Sequence, residues 1–143
     1  MRITTSLDCL EPEQRIALTI GSFDGLHIGH QHLIRQLVTQ AHEHGWLAGA
    51  LTFDPHPRKV LSPERRTALL STPQERDTIF AALGLDVLIV LPFTREMADT
   101  SASAFVRELA RCLHLVELWV GEGFALGKDR TGDSAALQRL ADE

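Results

Sequence analysis

The residues best suited to chemistry stand together in one stretch, IGSFDGLHIGHQHLI, from Ile20 to Ile34. Gly21, Gly25 and Gly29 permit a backbone that turns sharply and comes close to a ligand. His27 and His30 are spaced so that they can share one face of a helical turn. An imidazole hydrogen-bonds phosphate oxygens and can gain charge near neutral pH as negative charge builds. The N–H groups and positive dipole end of a following helix add to the same attraction. Together these groups suit the binding of a polyphosphate and the stabilisation of charge that develops during attack at phosphorus. The same spacing also suits a tight strand-to-helix turn whose histidines pack locally. It is neither a Walker loop, since no Gly-Lys-Ser/Thr follows, nor GxGxxG. A zinc site of His27, His30 and His56 lacks a carboxylate or cysteine at supporting spacing. His32 is expected on the helix surface, and His42, His44 and His114 at solvated positions.

The elements that must position this stretch alternate. Ile16–Ile20 reads as a short buried strand ended by Gly21. From Gly29 the pattern is helical, with Leu33, Ile34, Leu37, Val38 and Ala41 forming one stripe and Gly45 as the stop. Leu47–Phe53 is a second strand, broken by DPHPR because two prolines cannot continue a central strand. Residues Arg58–Ser71 read as a loop. Thr72 as N-cap, Pro73 in the first turn and Glu75 at the capping-box position start a helix that should end at Gly84. Val87–Leu91 is a third strand closed by Pro92, a helix runs from about Ser101, and Val116–Val120 is a fourth strand. The Gly-rich GEGFALGKDRTGD follows, and Ser134–Leu140 begins a last helix. Met1–Glu13 shows no clear period, and Pro12 opposes a helix there.

Short apolar strands alternating with amphipathic helices predict an α/β fold, a doubly wound parallel sheet with helices on both faces. Ligands in such sheets bind beyond the carboxyl ends of the strands, where the strand order switches. The unusual segments GSFDGLHIGH, DPHPR, PFT and GEGFALGKDR each follow a predicted strand, so they should gather on one edge.

The 143 residues suit one domain, 1–143, able to bury its own core. A net charge of −5 speaks against general nucleic-acid binding, which leaves a basic footprint. No run reaches the roughly 18 apolar residues of a membrane span, and no secretory signal opens the chain. Cys9 and Cys112 fit neither CxxC nor zinc spacing and read as ordinary thiols of a reducing compartment. The expectation is a cytoplasmic protein with small-molecule substrates.

The motif GSFDGLHIGHQHLI resembles the first motif of the nucleotidylyltransferase superfamily, whose HxGH element would be His27, Gly29 and His30. With LTFDPHPRKVL, LLSTPQER, LGLDVLIVLPFT and VGEGFALGKDRTGD in order, the chain after Arg15 is similar to the FMN adenylyltransferase module of prokaryotic FAD synthetases. Those are usually fused to a riboflavin kinase module. The resemblance implies a Rossmann-like nucleotidylyltransferase fold and transfer of AMP from ATP to the phosphate of FMN, giving FAD and pyrophosphate. It implies His27, His30 and Asp54 as catalytic residues. The ATP side would be formed by Gly21, Ser22, Phe23, Asp24, Gly25, Gly29, Gly121 and Gly127, and the FMN side by Asp54, His56 and Pro57. In the family's picture Phe23 and Asp24 shape the first loop, while Gly121, Gly127 and Asp133 form a wall near the adenosine. Phosphoryl chemistry implies magnesium, with Asp24 and Asp54 as candidate ligands; both side chains also suit turn stabilisation. Arg58, Lys59, Lys128 and Arg130 could add positive charge or be solvated loop residues.

Gly123, Ala125 and Leu126 stand where the family commonly has an acidic, a basic and an aromatic residue. The family's further strand and helix, its Ser-Thr-x-x-Arg type motif and the kinase module are expected to be missing from this chain. The alternatives to FAD synthesis are a nucleotide- or flavin-binding module with weak or no turnover, and a nucleotidylyltransferase for another phosphate ester.

Overall fold

The computed structural model describes residues 1–7, 10–26, 28–55, 57–62, 64, 71–121, 125–126, 132–133 and 138. Its elements in chain order begin with β1 (Arg2–Thr4), β2 (Ile16–Ile20), α1 (Ile28–Glu43) and β3 (Leu47–Asp54). A short α2 (Pro57–Leu61), then α3 (Pro73–Ala82) and β4 (Val87–Pro92), come next. The chain continues with α4 (Arg95–Ala98), α5 (Ala102–Leu113), β5 (Leu115–Trp119), β6 (Ala125–Leu126) and β7 (Gly132–Asp133).

Five strands form a sheet in the order β1-β4-β3-β2-β5, and every pairing in it is parallel. Parallel neighbours need crossover connections, which put helices on both faces. Burial follows that logic. β2 is buried at all five positions. Alternate residues of the strands point to opposite faces. Ala17, Ala48, Ala50 and Leu88 lie on one face, against Ile34, Leu37 and Ala41 of α1 and Phe80 of α3. Ile16, Leu18, Ile20, Leu51, Val87, Ile89 and Leu91 lie on the other, against Phe105, Leu109 and Leu113 of α5. The small residues on the first face leave room for two helices to come close. The branched residues on the second fill the space above one.

The stripe expected on α1 is the buried face of that helix, with Leu33 and Val38 half-buried at its margin. Gly45 ends it in the left-handed region at φ 73°. The α3 capping box is formed in full: the Thr72 hydroxyl accepts the Glu75 N–H, and the Glu75 carboxylate accepts the Thr72 N–H, both at 3.1 Å. Ser101 caps α5 with a single bond, its hydroxyl accepting the Ala104 N–H (3.1 Å).

Five readings need correction. Residues 1–13 contain a strand, β1, whose three residues are too few to show a period; its pairing with β4, from Arg2 opposite Val87 to Thr4 opposite Ile89, is what forms it. The expected loop from Arg58 begins inside a helical turn, α2, with Pro57 at its first position, where the missing N–H costs nothing. Thr94 caps a further one-turn helix, α4, through the Met97 N–H. Within the Gly-rich segment β6 and β7 pair antiparallel as a separate two-stranded ribbon, so not every strand belongs to the parallel sheet. The fourth strand of the main sheet lies one residue earlier than expected, at Leu115–Trp119. Of the expected last helix only Gln138 falls among the described residues, and it is helical.

The connections leave β2 toward β3 and β4 and then cross to β5 on the other side of β2. The strand order therefore switches between β2 and β5. The crevice beyond their carboxyl ends is bordered by the β2–α1 loop and by Val120 and Gly121 after β5. Among the described residues no helix is long and apolar enough to cross a membrane.

Candidate functional site

The loop from Gly21 to Leu26 is built against backbone preference. Phe23 (φ 51°), Gly25 (φ 78°) and Leu26 (φ 28°) all adopt positive φ. For residues other than glycine this conformation costs on the order of 1–3 kcal/mol and persists only where the surroundings over-determine it. The surroundings do so from below and from the side.

From below, Phe23 and Leu26 are buried in the core cluster shared with α1 and α3. The Phe23 ring meets Phe80 edge-on, with centroids 5.3 Å apart. It is packed so closely beneath Gly21 that a Cβ there would lie 3.1–3.3 Å from the ring. From the side, hydrogen bonds hold Gly21, Ser22, Asp24, Gly25 and Leu26. The Gly21 N–H donates to the Leu51 carbonyl (3.1 Å). The Ser22 carbonyl accepts from the buried Thr52 hydroxyl (3.2 Å). The Leu26 carbonyl accepts from the Gln31 side-chain amide (2.9 Å). Ser71 does most: its hydroxyl accepts the Gly25 N–H (3.0 Å) and donates to Asp24 Oδ1 (3.4 Å), while its own N–H donates to the same oxygen (3.0 Å).

His30 sits in the first turn of α1, half-buried, with its ring edge-on to Phe23 at 5.6 Å. Phe23 is thus a support that carries His30 on one edge and the core on the other. Ser22 and Gly29 are exposed beside it, and so is Ile28, at 85%. Asp54 ends β3 as an exposed residue whose carbonyl accepts the Phe93 N–H (3.4 Å), and a cis peptide joins it to Pro55. Gly121, after β5, is exposed, with open space where a Cβ would stand.

Gly21, Ser22, Phe23, Asp24, Gly25, Gly29 and His30 therefore border the crevice from β2, and Gly121 borders it from β5. Asp54 and Pro57 stand at the same sheet edge, after β3. His27, His56 and Gly127 lie outside the described residues. Phe23 shapes the loop from beneath, its ring being buried. The Gly25 N–H is occupied by Ser71.

Among the described residues no group of three or more His, Cys, Asp or Glu side chains converges as a metal cage. Magnesium on nucleotide phosphates needs only one or two protein carboxylates, the phosphates and water supplying the rest. Asp54, exposed at the end of β3, suits that limited role. Asp24 suits it less, because Oδ1 already accepts two hydrogen bonds from Ser71.

Ser71, Thr52 and Gln31 were not found by sequence reasoning. Ser71 precedes a strong helix-start signal, yet its partner Asp24 is 47 residues away, beyond any local pattern.

Over 126 residues, 87% of its length, the chain is 36% identical to a bifunctional riboflavin kinase/FMN adenylyltransferase of Listeria monocytogenes, of which it covers 40%. It is 36% identical over 96% of its length to the protein of that name in Pseudomonas fluorescens, of which it covers 45%. The protein of that name in Haemophilus influenzae is 35% identical over 87% of this chain, with 41% of the relative covered. The chain thus spans less than half the length of these curated relatives. A crystal structure described as a macrolide-efflux protein from Streptococcus pneumoniae superposes with a TM-score of 0.82 over 98% of this chain and 46% of its own; at 21% identity that likeness concerns the fold. The family model for FAD synthetase matches residues 10–143, and the chain belongs to that family.

Proposed function

We propose that the chain carries out FMN adenylyl transfer, with ATP and FMN as substrates. A phosphate oxygen of FMN attacks the α-phosphorus of ATP, the new P–O bond forms, the bond to the β-phosphate bridging oxygen breaks, and pyrophosphate leaves with that electron pair. The acceptor brings its own nucleophile, so the protein needs to align two anions and stabilise spreading charge. The observation that carries this reading is the hydrogen-bonded β2–α1 loop at the switch between β2 and β5, with His30 standing on Phe23 beside a helix N-terminus.

In this reading His30 and His27 hydrogen-bond the ATP phosphates and take up charge as it develops. The exposed Ser22 and Gly29 and the open position at Gly121 border the nucleotide. Asp54, His56 and Pro57 face the FMN phosphate. Magnesium bound to the phosphates would supply charge neutralisation, and Asp54 is the residue that would hold it. Residues 1–143 act as one nucleotide-binding unit, the riboflavin kinase activity named for the relatives belongs to a separate module, and the setting is the cytoplasm.

The test is incubation of the purified chain with ATP, FMN and magnesium, following FAD by chromatography and pyrophosphate release in the same samples. Equal, time-dependent formation of FAD and pyrophosphate is expected. Tight binding of ATP and FMN without either product would instead identify a nucleotide- or flavin-binding module. Pyrophosphate release with a different phosphate ester, and none with FMN, would change the acceptor.

A further inference from the structure

We propose that Ser71 is a positioning residue for the β2–α1 loop, latching it to the capped start of α3 and thereby setting where His30 and the α1 N-terminus stand. The inference rests on the adenylyl-transfer reading for its kinetic consequence, but the latch itself is independent of it. Three hydrogen bonds converge on this one residue: Gly25 N–H to the hydroxyl at 3.0 Å, the hydroxyl to Asp24 Oδ1 at 3.4 Å, and the Ser71 N–H to Asp24 Oδ1 at 3.0 Å.

The post to which the loop is tied is itself fixed. Thr72, the next residue, closes the capping box with Glu75, and Phe80 of the same helix packs on Phe23. The loop is the part that needs tying, because three of its residues hold positive φ. Released from Ser71, Gly25 could relax toward other backbone conformations at little cost, since glycine has no Cβ to oppose it. The shift would pass to Leu26 and then to the first turn of α1, which carries His30. Displacements near 1 Å in groups that align reactants can cost on the order of a hundredfold in rate. The hydroxyl is the informative atom. It both accepts from Gly25 and donates to Asp24, and threonine retains it while alanine does not.

The experiment compares the wild-type chain with Ser71→Ala and Ser71→Thr. Amide exchange at Gly25 is followed by NMR, kcat and KM by FAD formation, ATP affinity by calorimetry, and folding by thermal melting. For Ser71→Ala the expected result is Gly25 exchange faster by about tenfold and kcat lower by about tenfold, with KM for FMN within about twofold. Ser71→Thr should restore both exchange and kcat. Unchanged Gly25 exchange in Ser71→Ala overturns the latch. Faster exchange with unchanged kcat overturns its positioning role, as does equal loss in the threonine variant. If the wild-type chain makes no FAD, adenylyl transfer falls and ATP affinity decides for Ser71: weakening in Ser71→Ala alone supports it. Equal affinity in all three chains, or no ATP binding, overturns it.

Discussion

Two aspartates mark the two ends of the sheet, and they tie the chain together in nearly the same way for different ends. Asp86, just before β4, works at the amino edge. Its carboxylate accepts the Ala48 N–H (2.7 Å) and lies 2.8 Å from His42 Nε2, its N–H donates to the Ala48 carbonyl, and its carbonyl accepts the Arg2 N–H. One residue thus joins β1, β3, β4 and the end of α1. All these segments keep ordinary backbone conformations. Asp24 works at the carboxyl edge, where its carboxylate and Ser71 hold a loop of positive φ angles. The hydrogen bonds of Asp86 reinforce geometry the strands would adopt anyway, although His114, just before β5 at the same edge, also holds a left-handed backbone (φ 49°). Those of Asp24 hold geometry the backbone resists, on the edge where the candidate site lies.

Four mutational tests would break or sharpen that contrast. The largest effect is expected for His30→Ala. Loss of a half-buried imidazole beside the helix N-terminus should lower FAD formation by about a hundredfold or more while the thermal midpoint stays close to wild type. Retained turnover would remove His30 from the reaction.

Next comes the pair of aspartates. Asp86→Ala should reduce the urea-derived stability by about 1–3 kcal/mol through the unpaired Ala48 N–H, with the half-exposed His42 contact adding little, and leave kcat unchanged. Asp24→Ala should lower kcat as well as stability. If both variants lose only stability, the two edges are equivalent and the contrast fails.

Thr72→Ala removes the α3 cap and should cost about 1 kcal/mol in the same urea measurement. A drop in kcat accompanying it would extend the latch to the helix start itself.

The smallest effect belongs to Glu108 on α5, whose carboxyl is held below its usual range by hydrogen bonds from Arg111 and Cys112. A carboxylate with a lowered folded-state pKa adds stability above its unfolded pKa and loses it as pH falls through the folded value. The pair is solvent-exposed and screened, so Glu108→Gln should leave the melting temperature unchanged at neutral pH and below pH 4 alike. A clear loss at neutral pH that disappears in acid would show that exposed charge matters more here than either edge.

Much of this was present in the order of residues alone. The alternation of elements, the α1 stripe at Ile34, Leu37 and Ala41, the cap at Thr72 and the helix start near Ser101 are local patterns written within one or two helical turns. The spacing of the glycines and histidines after β2, from which phosphate-type chemistry is proposed, is a local pattern of the same kind. Strand β1 depended on a partner more than eighty positions away, as Arg2 opposite Val87 shows. The burial of the Phe23 ring under Gly21, the occupation of the Gly25 N–H and the commitment of Asp24 to Ser71 were equally beyond local reading. Periodicity and capping are set by neighbours along the chain, so the sequence determines them by itself. Which side of a loop is supported, and by which distant hydroxyl, is decided only when the strands pack side by side and bring Asp24 to Ser71.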